Sequence, residues 1–214
     1  MNIKQKLTWA FAIIACLPVV LVATLVVLNL RSEAKESFVD GSGREIRQVS
    51  NAMQLFFDGI SQNVDYLASH PLIKDSDDSL KTYMSANAES IPQGEMDKNV
   101  FALLQNLGNS HPSYAYAILG TAAGGYVSWP DDAKLNNYDP RQRPWYKAAQ
   151  SRPGKPFRTE AYYWAQDDAT YVSTVRTIDN KLGTQGGVVS IDVTLKQLTE
   201  IVKQIKLGET GYLM

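Results

Sequence analysis

Aromatic side chains and arginines alternate between residues 138 and 164, a pattern suited to binding a small charged molecule. The segment holds six Tyr or Trp residues, and Arg143 lies among them. An arginine can hold a carboxylate through two parallel hydrogen bonds, and the indole of Trp145 and the tyrosine hydroxyls can donate others. Asp192, at the end of an apolar run, is an acceptor able to hold an ammonium group. An arginine and an aspartate across an aromatic pocket suit a small zwitterion.

Each of these residues also has a purely structural interpretation. Arg143 could be a surface arginine at the start of a helix, and Asp192 could cap the helix that follows it. The aromatic residues could fill an ordinary core. Trp145 and Tyr146 are adjacent, so both cannot point inward from one helical face. This favours a ligand contact for one of the two.

Composition excludes several other kinds of site. The chain has 214 residues, with Lys+Arg 21 against Asp+Glu 22 and a net charge of -1, which predicts no nucleic-acid partner. Cys16 is the single cysteine and there are two histidines, so we expect no disulfide, no metal centre and no cofactor. The sequence has no Ser/His/Asp set, no H-E-x-x-H motif and no phosphate loop. It therefore predicts no catalytic residues, and a protein that is not an enzyme.

The N-terminal segment predicts a membrane helix. Residues 8–30 carry no charge and are long enough to cross the hydrocarbon layer. A cleaved signal peptide is the alternative, because residues 32–34 (Ser-Glu-Ala) resemble a cleavage site. Lys4 and Lys6 precede the span without any acid, and with the free amino terminus they place the N-terminus in the cytoplasm. Everything after Arg31 is then exported.

Two helices are predicted in the first half of the exported part. Apolar residues spaced by threes and fours over 38–67 favour one long amphipathic helix, although two glycines weaken its start. His70 should end this helix, because it precedes Pro71. Apolar residues over 101–107 predict a short helix that Gly108 closes as its C-terminal cap.

The pattern changes to strands after residue 112. A short helix is predicted near 144–150, and a closing amphipathic helix begins at 195. Runs of strands with helices to one side favour an α+β domain with an antiparallel sheet. Residues 208–214 look like the start of another strand, which predicts that the chain is a fragment of a longer protein. Four strands are predicted before that point, at 114–119, 126–129, 170–178 and 187–193.

Tyr138, Arg143, Trp145 and Tyr146 reproduce the spacing Y-x4-R-x-W-Y, and the run Gly-Val-Val-Ser-Ile-Asp192 lies downstream. With these residues the chain, over roughly 31–214, resembles the double Cache ligand-binding domain of bacterial chemoreceptors, in its amino-acid-sensing branch. The resemblance implies a PAS-like antiparallel sheet. It also implies five parts: a cytoplasmic N-terminus (1–7), a transmembrane helix (8–30), a stalk helix (31–70), a membrane-distal Cache subdomain (71–207) and the start of a membrane-proximal subdomain (208–214).

The resemblance also implies roles for single residues. Arg143 and Trp145, with Tyr138, would hold the ligand carboxylate, and Asp192 would hold the ligand amino group. The residues expected to bind the ligand are Tyr138, Arg143, Trp145, Tyr146, Tyr162, Trp164 and Asp192.

The chain departs from the family pattern at one position. Tyr162 matches a family tyrosine, but Trp164 stands where a second aspartate usually shares the amino group. Asp167 and Asp168 lie a few residues further on. A tryptophan at this position favours a bulkier or methylated cation through cation–π contact. Betaines, taurine, other amines and a narrower range of amino acids are therefore all candidate ligands.

By resemblance, the chain is the extracytoplasmic sensor of a transmembrane chemoreceptor with one N-terminal span in the inner membrane and a periplasmic sensor domain. The implied partners are a small amino acid or amine, the membrane, a second copy in a homodimer, and cytoplasmic signalling proteins bound beyond Met214. The alternatives are the same sensor on a histidine kinase or diguanylate cyclase, sensing through a separate binding protein, a membrane-anchored enzyme, and a structural or adhesion module.

Overall fold

The chain begins with one uninterrupted helix, α1 (Ile3–Ser69), in a computed structural model that describes residues 3–76, 79–86, 88–131, 135–180, 183 and 185–204. The predicted membrane and stalk helices are continuous, and the glycines near residue 40 do not interrupt them. By length and composition alone, the apolar part of α1 can cross a membrane. His70 ends the helix as predicted: its backbone is extended, and its Nδ1 accepts a hydrogen bond of 3.2 Å from the backbone N–H of Leu72 in α2 (Pro71–Lys74).

Contacts divide the chain into two compact units, Met1–Ser50 and Asn51–Met214. The second unit contains the last turns of α1, the sheet and the remaining helices. A 3₁₀ turn (Ala88–Ser90) and α3 (Glu95–Ser110) precede the sheet.

The helix α3 is longer than the sequence predicted. Asp97 fixes its first turn, because its carboxylate accepts hydrogen bonds of 2.9 Å from the backbone N–H groups of both Gly94 and Lys81. Gly108 lies inside the helix, so its predicted role as a C-terminal cap is wrong. The glycine permits close packing instead, because a Cβ there would overlap Cε3 of the Trp129 ring.

We expect Gly108→Ala to destabilise the domain by about 1–3 kcal/mol, because the added methyl group must displace the Trp129 ring. Gly59→Ala is the matched control, since a Cβ on this glycine of α1 meets open space. That control should be neutral or stabilising by up to about 1 kcal/mol. Urea unfolding of the chain in mild detergent measures both. Equal unfolding free energies for the two variants would contradict close packing at Gly108.

One antiparallel sheet forms the centre of the second unit and confirms the predicted α+β class. Its order is β2-β1-β6-β5-β3, and β4 also pairs with β5. The four predicted strands are present. The two others, β3 and β4, have two and three residues, too few to show a period of two. The predicted strand at 208–214 lies outside the described residues. The strands are β1 (Tyr116–Thr121), β2 (Tyr126–Trp129), β3 (Phe157–Arg158), β4 (Tyr162–Trp164), β5 (Ala169–Asp179) and β6 (Gln185–Thr194).

The sheet separates two hydrophobic clusters. The end of α1 packs on one face, where Ile60, Val64 and Leu67 join apolar residues of β1 and β6. Arg176 of β5 reaches α1 on this face and forms an ion pair of 2.6 Å with Asp65. The helix α4 (Pro144–Ser151) belongs to the cluster on the opposite face, and α5 (Leu195–Gln204) follows β6.

Candidate ligand-binding site

A pocket opens on the face of the sheet that carries α4. Its space is about 480 Å³, counted with its opening to solvent. Six of the seven residues expected from the sequence line it: Tyr138, Arg143, Trp145, Tyr162, Trp164 and Asp192. The structure therefore brings together residues from the loop before α4, from α4, from β4 and from β6.

Tyr146 is the exception, because it is buried in the core and does not line the pocket. The expectation that only one of Trp145 and Tyr146 can be buried is wrong, since 3% and 1% of their surfaces are exposed. Both rings lie over Gly120 of β1. A Cβ on Gly120 would come within 2.8 Å of Trp145 Cη2 and 3.4 Å of Tyr146 Cδ2. The missing side chain of Gly120 makes room for the Trp145 ring, whereas Tyr146 would be in ordinary contact with a Cβ at this position.

Arg143 lies at the N-cap position of α4, and its guanidinium is held between two aromatic rings. Its Cζ is 4.3 Å from the ring centroid of Tyr138 and 4.7 Å from that of Trp164. Its Nε is buried without a hydrogen-bond partner, and no described carboxylate forms an ion pair with it. Arg143 is half-buried, and a guanidinium without an ion-pair partner is available for a planar anion such as a carboxylate.

Tyr138 and Trp145 form the wall beside this arginine. Burial raises the pKa of the Tyr138 hydroxyl, while a hydrogen bond with Trp145 and the positive charge of Arg143 act to lower it. The indole of Trp145 therefore orients Tyr138, in addition to facing the pocket.

Asp192 is buried on β6, with 3% of its surface exposed. Its Oδ1 accepts a hydrogen bond of 2.5 Å from the hydroxyl of Ser190, and its Oδ2 accepts one of 3.3 Å from Tyr162. Burial raises the pKa of Asp192 to about 6, although hydrogen bonds from Ser173, Ser190 and Tyr162 lower it. The carboxylate is thus ionised near neutral pH but poorly solvated, which favours binding of a cation.

The structural alternative for Asp192, capping of the next helix, does not hold. Thr194 performs that function for α5: its hydroxyl accepts a hydrogen bond of 3.1 Å from the backbone N–H of Gln197. The side chain of Gln197 accepts from the backbone N–H of Thr194 in return, at 2.9 Å.

Sequence reasoning missed part of the pocket wall. Tyr116 lies directly opposite Asp192 in the pairing of β1 with β6. Tyr116 and Tyr171 both donate their hydroxyl protons to Oδ2 of Asp167, at 3.0 and 2.7 Å. Asp168, the neighbouring acid, instead accepts from the exposed Tyr163. The alternation of residues along each strand predicts the face on which each tyrosine lies. Only the strand register shows that Tyr116 and Tyr171 lie together. The lining residues not predicted are Tyr116, Ile118, Tyr126, Leu135, Pro144 and Tyr171.

This arrangement can bind a molecule that carries both charges. Arg143 supplies a positive group and Asp192 a negative one, both within a pocket whose wall is mostly aromatic. Among the described residues, no group of three or more His, Cys, Asp or Glu side chains is placed to hold a metal ion.

Comparisons with known proteins give a consistent result. Residues 97–200 match the family model "Methyl-accepting chemotaxis protein-like, first PDC sensor domain". The chain is 42% identical over 93 residues to methyl-accepting chemotaxis protein McpB of Bacillus subtilis, a match that covers 44% of this chain and 13% of McpB. The chain therefore spans a small part of the length of that relative.

Two solved structures are similar in fold. One is the ligand-binding domain of the Pseudomonas aeruginosa amino acid chemoreceptor PctB in complex with L-Arg, with a TM-score of 0.62 and 25% identity over 83% of this chain and 66% of that one. The other is the ligand-binding domain of the P. aeruginosa amino acid chemoreceptor PctC in complex with GABA, with a TM-score of 0.58 and 25% identity over 79% of this chain and 67% of that one.

Proposed function

We propose that the chain carries a Cache-type chemoreceptor sensor domain and not an enzyme, and that its pocket binds a small amino acid or a related amine as a zwitterion. One observation carries this proposal: a half-buried arginine, without an ion-pair partner among the described residues, and a buried aspartate line the same pocket. Arg143 has no acidic partner among the described residues, so its charge is not consumed within the fold. Its expected partner is the carboxylate of the ligand, and Asp192 receives the amine.

The solved relatives support this choice of ligand class. PctB and PctC are amino acid chemoreceptors, and their structures contain L-Arg and GABA respectively. Both molecules carry a carboxylate and a cationic nitrogen. The two opposite charges in the pocket of this chain are complementary to that pair of groups.

The proposal extends to the whole protein. Residues 1–7 are cytoplasmic, 8–30 span the inner membrane, 31–70 form the stalk, 71–207 form a periplasmic, membrane-distal subdomain and 208–214 begin a membrane-proximal one. Ligand binding signals across the membrane in a homodimer and controls chemotaxis through cytoplasmic partners of a C-terminal part. A histidine kinase or diguanylate cyclase is the alternative output. The relation to McpB supports the chemotactic output.

Titration calorimetry on the chain in lipid nanodiscs tests the ligand class. The panel contains the twenty amino acids, taurine, betaines, choline, polyamines and short carboxylates. We expect binding by zwitterions, and at least tenfold weaker binding by choline or acetate, since each of these engages only one of Arg143 and Asp192. Equal affinity for a ligand that lacks either charge would contradict the proposal, as would the absence of binding throughout the panel.

The pH dependence of binding forms the second part of this test. The pKa of Asp192 is raised to about 6, so its carboxylate is ionised at pH 7 and mostly protonated at pH 5. Protonation removes the charge that attracts the amine, and the dissociation constant should rise about tenfold over this interval. His70 and His111 do not line the pocket. The double variant His70→Gln/His111→Gln should therefore keep the pH profile, whereas a profile that flattens in this variant would assign the dependence to a histidine.

A further inference from the structure

The end of the pocket near Asp192, which would receive the cationic group of the ligand, has few free hydrogen-bond acceptors. Asp192 is the only acidic residue among its described lining residues. A carboxylate offers about four acceptor sites. Ser190 donates to Oδ1 of Asp192 and Tyr162 donates to Oδ2, while the Ser173 hydroxyl is hydrogen-bonded to that of Tyr162 at 2.8 Å. About two sites are left on the carboxylate, whereas a primary ammonium brings three N–H donors that all need acceptors once water is removed.

Tyrosine rings form the wall around this carboxylate. The ring centroids of Tyr116 and Tyr171 are 5.8 Å apart, and those of Tyr171 and Tyr162 are 6.4 Å apart. The hydroxyl protons of Tyr116 and Tyr171 are directed to Asp167, and the hydroxyl of Tyr162 contacts Ser173 and Asp192. The hydroxyl protons are thus engaged within the fold, and the three tyrosines line the pocket. Such rings attract cations without requiring an N–H donor.

Trp164 does not add an acceptor at this end. It stands where the sequence resemblance expects a second aspartate, and its ring lies against the guanidinium of Arg143, at 4.7 Å. Trp164 therefore supports the carboxylate end of the site. Among the described lining residues, no other carboxylate compensates for the missing aspartate.

From this arrangement we infer that the ligand is a betaine-class molecule, a carboxylate whose nitrogen is fully N-methylated. A trimethylammonium group needs no hydrogen-bond acceptor, places methyl groups against the tyrosine rings and keeps its charge for Asp192. Its carboxylate pairs with Arg143. This inference rests on the proposed function of the same pocket and specifies the ligand class within it.

A methylation series tests the inference with only one variable. Glycine, sarcosine, N,N-dimethylglycine and glycine betaine share a carboxylate and differ in the number of methyl groups on nitrogen. In calorimetric titrations of the chain in nanodiscs, we expect the dissociation constant to fall along the series, by at least tenfold from glycine to glycine betaine. Tighter or equal binding of glycine, or binding of primary amino acids without binding of betaine, would overturn the betaine assignment and leave the zwitterion site standing. The absence of binding by every zwitterion would overturn both.

Variants of two neighbouring tyrosines test whether the shortage of acceptors on Asp192, and not a general loss of ligand fit, sets the preference for betaine. Tyr162→Phe removes a hydroxyl from Asp192 and returns an acceptor site to the carboxylate. The ratio of glycine to betaine dissociation constants should then shrink by about threefold or more. Tyr163→Phe is the matched control, because Tyr163 is exposed and its hydroxyl contacts Asp168 outside the pocket lining. It should leave the ratio unchanged. An unchanged ratio in Tyr162→Phe, or an equal change in both variants, would refute the shortage of acceptors.

Discussion

Asp192→Asn is expected to abolish ligand binding and, at the same time, to make the ligand-free domain more stable above pH 6. The pKa of Asp192 is raised to about 6 in the folded chain, from an ordinary value of 3.8, because the carboxylate is buried. A folded state that holds the proton more tightly than the unfolded state loses stability as the pH rises from about 4 to about 6. The difference corresponds to roughly 3 kcal/mol at neutral pH.

Asparagine has no charge to desolvate, so the variant should recover most of that stability at pH 7 to 8 and little of it at pH 4. Thermal unfolding of the ligand-free chain in detergent at pH 4, 6 and 8 measures the effect. Asp179→Asn, at the exposed end of β5, is the control and should show no such gain. A melting temperature for Asp192→Asn below that of the parent at pH 8 would identify Asp192 as a structural residue instead of a ligand-binding one.

Arg143→Ala is expected to raise the dissociation constant for the tightest zwitterion of the panel by between about 30-fold and several thousandfold. Truncating one partner of a buried, hydrogen-bonded charge pair costs about 2–5 kcal/mol of binding free energy. The fold should survive the change, since no described carboxylate is left unpaired and only the stacking on Tyr138 and Trp164 is lost. Each such contact contributes about 0.5–1 kcal/mol when partly exposed.

Arg152→Ala is the matched control for this arginine. Arg152 also stacks on an aromatic ring, at 4.3 Å from the ring centroid of Phe157, but it does not line the pocket. It should leave the dissociation constant unchanged. Arg143→Lys keeps the charge and loses the paired hydrogen bonds, so its affinity should lie between those of the parent and of Arg143→Ala. Equal affinity of Arg143→Ala and Arg152→Ala would remove Arg143 from the site.

The sequence predicted the arginine end of the pocket better than its walls. Arg143 and Trp145 lie within a short segment, and their spacing about the start of α4 already places them together. Tyr116 and Tyr171 reach the pocket from strands far apart in the chain, through a register that depends on the complete sheet. A pattern of alternating residues predicts each strand but not which residues lie opposite each other.

Misplaced residues show the same limit of local reasoning. Tyr146 belongs to a recognisable spacing that predicts a ligand contact, yet the structure buries it in the core, against β1. Glycine is a common C-terminal helix cap, but Gly108 lies inside α3, where its close approach to Trp129 leaves no room for a side chain. In both cases a distant partner overrides the local signal, and that partner is visible only in the folded chain.

The strand β5 has a consequence for how the proposed sensor can diversify. Tyr171 lines the pocket and Ser173 contacts Asp192, while Arg176 points to the opposite face and holds Asp65 of α1. Successive residues of a strand face opposite sides. Substitutions at alternate positions of β5 can therefore change the ligand preference of the pocket without disturbing the ion pair with α1. In the proposed sensor, selection can act on ligand recognition and on the contact with α1 as two separable traits, although both are encoded in the same eleven residues.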